Sequence, residues 1–124
     1  MIDLDIAVRN ARLDATETAI GASAVLKIRS GAKPANCGTA DSGTALVVIN
    51  LPADWMGAAA AGVKSMSGTW TDLSADAAGT AGHYRGESSD GGTGRLQRAA
   101  TSTGGGGDME NDITVIAAGQ EVRV

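Results

Sequence analysis

Apolar residues recur along this chain in two rhythms. Between residues 6 and 20, Ala7, Ala11 and Ala15 stand one helical turn apart and Ile6 and Leu13 add bulk; no proline interrupts, and Gly21 follows as a stop. The spacing predicts a single helix over 6–20, with Arg9, Arg12, Asp14 and Glu17 on its wet side. Its apolar stripe is thin, so the helix is expected to dock on a partner surface rather than form the centre of a bundle.

Beyond residue 22 the period shortens. Residues 24–29 read as a strand, turned by Ser30-Gly31 and released into a Pro34-Ala35-Asn36 loop; residues 44–51 read as a second strand, with Pro52 as a hard stop. A small-residue connection crosses 57–62, and the alternation over 63–73 predicts a third strand. A fourth strand over 81–88 carries His83, Tyr84 and Arg85. Ser89-Asp90-Gly91-Gly92 is a hairpin turn, because Asp-Gly and Gly-Gly tolerate positive φ. The returning strand covers 95–101, a glycine-rich loop covers 103–107, and short strands at 112–116 and 121–124 flank the Ala118-Gly119-Gln120 turn. Short strands with regular turn signals predict a mainly β chain, a β-sandwich or jelly-roll-like single domain with one N-terminal helix. The division is a docking segment over 1–23 and a β domain over 24–124.

Composition changes this picture in one respect. The chain has 124 residues, 18 of them glycine, with two Trp, one Tyr and no Phe. A core of Ala, Val, Ile and Leu buries little area per residue and leaves a thin margin against chain entropy, so stabilisation by partner subunits is expected. Charge excludes more than it suggests. A net charge of −4 with scattered Lys and Arg is no nucleic-acid footprint. The acids at Asp3 and Asp5 stand where a signal peptide carries positive charge, so export is not expected, and no apolar run approaches the ~20 residues of a membrane helix. One cysteine, Cys37, allows no internal disulfide and suits a reducing compartment.

Candidate chemistry is sparse, and no catalytic, cofactor or metal site is expected. His83 is the sole histidine and reads as a strand residue at an edge or interface; a triad would need an activated Ser or Cys beside it. The 103–108 loop lacks the Gly-Lys-Ser/Thr ending of a phosphate loop and is read as a connection. Asp108, Glu110, Asn111 and Asp112 offer hard oxygen ligands, yet their spacing fits no EF-hand, and solvated acids are the simpler reading. Trp55 and Trp70 read as core or interface anchors.

A family resemblance adds what chemistry does not. It rests on residues 9–15 running on to 20–24, on 26–31 with 33–36, and on 78–85 with the Asp90-Gly91 turn, completed by 104–109 and 113–122. These stretches resemble a family of small tailed-phage virion proteins, encoded near the major capsid protein and thought to decorate or cement the head. His83 departs from it, standing where the family often has a second aromatic beside Tyr84, and the family pattern tends to run on past Val124 with another apolar strand. The resemblance implies a non-enzymatic capsid decoration protein, made in the bacterial cytoplasm and located on the virion. Its partners would be the major capsid protein and further copies of itself, as dimer or trimer. No nucleic acid or membrane is expected among them. Ile6, Arg9, Arg12, Leu13, Trp55 and Tyr84 are the residues expected to make contacts. A head-fibre, neck or tail component is the nearest alternative, and a carbohydrate-binding β module a more distant one.

Overall fold

The computed structural model describes residues 2–91, 95–102, 109–111 and 114–124. Helix α1 (Ile6–Ile20) has the bounds its spacing predicts. Asp5 caps it, its carboxylate accepting the Ala7 N–H at 2.9 Å, and Gly21 ends it at φ 91°, where a residue with a side chain is strained.

The strands are β1 (Val25–Ser30), β2 (Ala45–Asn50), β3 (Thr71–Asp72), β4 (Gly79–Glu87), β5 (Arg95–Ser102), β6 (Met109–Asn111), β7 (Val115–Ile116) and β8 (Val122–Arg123). The main sheet runs β2-β1-β4-β5-β6, with β7 paired to one end of β4, while β3 and β8 form a two-stranded sheet of their own. All pairings are antiparallel except β5 with β6. This is a mainly β domain with one helix, as the turn grammar predicts; the strand order does not establish a jelly roll.

Register assigns each side chain to a face. Leu26 stands opposite Ile49 and Gly86, and Ile28 opposite Val47 and Tyr84, so these positions share one face with Leu96. Trp55 and Trp70 cover it, their rings 6.0 Å apart and tilted, and Ile28, Val47 and Ile49 are fully buried. The opposite face carries Arg29 beside His83, Lys27 beside Arg85, and Arg85 beside Gln97. Register shifts after Ile28 and Arg29 bulge β1 where it leaves the sheet. Gly82 is needed there, because a Cβ on it would collide with the Gly31 carbonyl. The outer edge of β2 is covered by the chain itself: the Leu46 carbonyl accepts from Asp76 and the Val48 N–H donates to Asp72.

Three expectations are corrected. The strand over 63–73 forms only at its end, as β3; ahead of it lie the isolated bridges Met56–Met66 and Ala60–Val63, because in this alternation only Trp70 is buried while Val63 and Met66 stay exposed. His83 is at neither edge nor interface: β4 lies between β1 and β5, and His83 is 0% exposed. Asp14 and Glu17, expected on the wet side of α1, face the 55–64 segment, Asp14 with its side chain still 46% exposed. The glycine loop over 103–107, Gly92 of the hairpin turn and the start of the strand over 112–116 lie outside the described residues.

Candidate functional site

The polar face of the sheet is covered by the long loop between β1 and β2, and it is held by an unusual donor pattern. His83 places Nδ1 2.9 Å from the Gly31 carbonyl and Nε2 3.0 Å from Asp41 Oδ1. Arg85, 1% exposed, donates to the Thr39 carbonyl at 3.1 Å and to Gln97 Oε1 at 2.6 Å; Gln97 donates to the Pro34 carbonyl at 2.7 Å. Arg29 donates to the Gly43 carbonyl at 3.2 Å, and Arg95 reaches that of Cys37 at 3.4 Å. A loop without ladder partners must satisfy its carbonyls somehow, and here side chains of β1, β4 and β5 do so.

Asp41 is the charge centre of this cluster. Arg29 Nε lies 2.7 Å and Arg85 Nε 3.9 Å from its Oδ2, as charge contacts rather than aligned hydrogen bonds. Burial pushes its carboxyl up, but the hydrogen bonds from His83 and the Ser42 N–H, with the charges of Arg29 and Arg85, outweigh burial and hold it below its ordinary value. His83 and Asp41 resemble a relay pair in composition only. Both ring nitrogens are engaged, neither faces a hydroxyl or thiol, and the ring has no solvent access. Among the described residues no cluster of His, Cys, Asp and Glu could hold a metal ion. The acids around Asp108 read for calcium have side chains outside those residues.

Helix α1 is anchored by polar residues. Asn10, Asp14 and Glu17 fall on one helical face and accept the backbone N–H groups of Gly62 at 2.9 Å, Ala59 at 2.9 Å and Met56 at 3.3 Å. Lys64 enters the same seam, 2.6 Å from Asp14 and 2.8 Å from Glu17, with its side chain 6% exposed. Hydrogen bonds donated to both carboxylates hold its ammonium above the ordinary value, and the Lys64 contact holds Asp14 below its own. The Trp55 indole N–H closes the seam on the Gly21 carbonyl at 2.9 Å.

This anchoring decides where the expected contact residues lie. Arg9, Arg12 and Leu13 come together with Thr16 and Gly62 around an open groove of about 330 Å³. Neither guanidinium makes an ion pair with a described residue. Ile6, 50% exposed, lies on the same helix. Trp55 and Tyr84 meet elsewhere, at an apolar groove of about 400 Å³ that also takes in Met56, Met66, Leu96 and Val124. Trp55 itself is 6% exposed and committed to Trp70 and Gly21, so the fold turns it inward and leaves little of it at the groove. Lys64 and Asp41 drew no attention in the sequence. Their signal, an isolated charge within a Gly/Ala/Ser stretch, is too common to single them out.

No helix among the described residues is long and apolar enough to cross a membrane. Comparison with protein-family models, with curated proteins and with solved structures finds no match to this chain.

Proposed function

We propose that this chain is a non-enzymatic structural component of a tailed-phage virion, a decoration protein that binds the outer capsid lattice. The observation that carries the reading is the Arg9–Arg12–Leu13 groove. Two guanidinium groups without ion-pair partners among the described residues are presented by a helix fixed from behind at Asn10, Asp14 and Glu17. A docking element needs rigid presentation, because a helix ordered only on binding loses affinity to its own ordering. Unpaired arginines at the rim suit carboxylates on the acceptor surface. Weak contacts of this kind suffice where symmetry repeats them over a shell. The family resemblance supports the same reading. A sugar-stacking platform finds little footing, since both indoles are buried and Tyr84 is the one partly exposed aromatic.

The test is binding to purified capsids lacking the chain. Arg9→Glu with Arg12→Glu is expected to reduce occupancy at least tenfold while the circular dichroism of the free protein stays unchanged. Unchanged occupancy removes the groove from the interface. Cryo-electron microscopy of the particle separates the stations: density on the outer lattice supports decoration, density at neck or tail redirects the role, and no particle density overturns both.

A further inference from the structure

His83 faces two acceptors and no donor. Gly31 offers a carbonyl oxygen to Nδ1, and Asp41 offers a carboxylate oxygen to Nε2. A neutral imidazole carries one N–H, so it can satisfy one of these oxygens and must present a lone pair to the other. With the ring 0% exposed, no bulk water can relieve that clash. Both contacts exist together only when both nitrogens are protonated.

Gly31 and Asp41 lie near the two ends of the loop that covers the polar face. We propose that His83 is a proton-controlled latch on this loop: doubly protonated, it ties Gly31 and Asp41 to β4, and on losing one proton it releases one of them and loosens residues 31–43. The charged surroundings fit a latch that can switch. From β1, Arg29 touches Asp41; from β4 itself, Arg85 stands farther off the same oxygen; from β5, the neighbour across the ladder is Ala99, which carries no charge. Two arginines therefore already neutralise Asp41 when the imidazole proton leaves, so the carboxylate stays ionised and the cluster remains populated by charge pairs. What is lost is a directional tie. The ties of Arg29 to Gly43, Arg85 to Thr39 and Gln97 to Pro34 remain, so the loop loosens without leaving the sheet. This holds whether or not the chain sits on a shell.

The intact protein supplies its own probe, since it contains one histidine. Nitrogen NMR of the imidazole across pH is expected to show both ring nitrogens protonated while the loop is tied down and one of them losing its proton in a single transition. Across that transition, amide exchange of residues 31–43, divided by the intrinsic pH effect, is expected to rise about tenfold to a hundredfold, as for loss of one hydrogen bond to a charged group. Exchange in the central ladder of β1 and β4 should stay constant. Asp41→Asn is expected to remove the Nε2 tie to the carboxylate and to loosen the loop on the acid side of that transition as well. A ring that keeps a single N–H at every pH where the protein is folded overturns the latch, as does loop exchange that ignores the transition. Should Asp41→Asn fail to fold, the titration of the unmodified protein decides alone.

Discussion

The two faces of the main sheet use the same strands and opposite physics. On one face Leu26, Ile28, Val47 and Ile49 pack beneath Trp55 and Trp70, and burial needs volume rather than direction. On the other, His83, Arg85, Arg29 and Gln97 meet the carbonyls of Gly31, Thr39, Gly43 and Pro34 one donor to one acceptor. The apolar face should therefore respond to substitution in proportion to what is removed. The polar face should fail in steps, because each lost donor leaves a loop carbonyl without its partner.

The sharpest way to break this contrast is Arg85→Met, which keeps bulk but strands the Thr39 carbonyl and Gln97. A loss of about 3–5 kcal/mol in denaturant unfolding is expected, the cost of uncoupling a buried charge network. A loss below about 1 kcal/mol would mean that the polar face behaves as ordinary surface. Arg85→Lys should recover little of it, since an ammonium cannot replace a fork that serves two acceptors. On the apolar face, Ile28→Ala is expected to cost about 2–5 kcal/mol and Ile49→Val about 1 kcal/mol, a graded series that calorimetry or denaturant melts can read. Equal losses for the two would deny the proportionality.

Acid separates the faces without mutation. The Asp41 carboxyl sits lower when folded than its ordinary value of 3.8, so its stabilisation is complete above that value and is lost as pH falls through the folded one. Urea midpoints are expected to drop steeply below about pH 4, and Asp41→Asn should flatten that drop. Lys64 is the opposite case. Its ammonium is raised above 10.5, so its contribution holds below that value and disappears as pH rises through the folded one. Alkaline titration should then fray α1, read by amide exchange over 6–20, before it disturbs the sheet. The smallest effect belongs to Asn10→Ala, which removes one acceptor from the Gly62 N–H and should cost about 1 kcal/mol with loosening confined to the seam.

Much of the fold was legible in local pattern. The helix bounds, the paired strands β1 and β2, and the turn into β5 follow from periodicity and from glycine placement. The 63–73 segment misleads because Ser, Thr and Gly alternate there as they would in a strand, although only Trp70 is buried and Val63 and Met66 stay exposed. The candidate site was half legible. Arg9, Arg12 and Leu13 are neighbours on any helix of this spacing, so their convergence was readable, whereas Trp55 could not be known to turn inward until Gly21 and Trp70 met it.

By itself the sequence determined where the chain is helical and, outside 63–73, where it is extended, since these depend on neighbours within a few positions. Only the tertiary structure decided which surface each charge sees. Asp14 and Glu17 look like solvated acids until residues 56–64 bring backbone N–H groups and Lys64 against them. His83 and Asp41 lie 42 positions apart and acquire meaning only when the β1–β2 loop folds over β4. Electrostatics acts through space and burial rather than along the chain, and both are properties of the packed molecule.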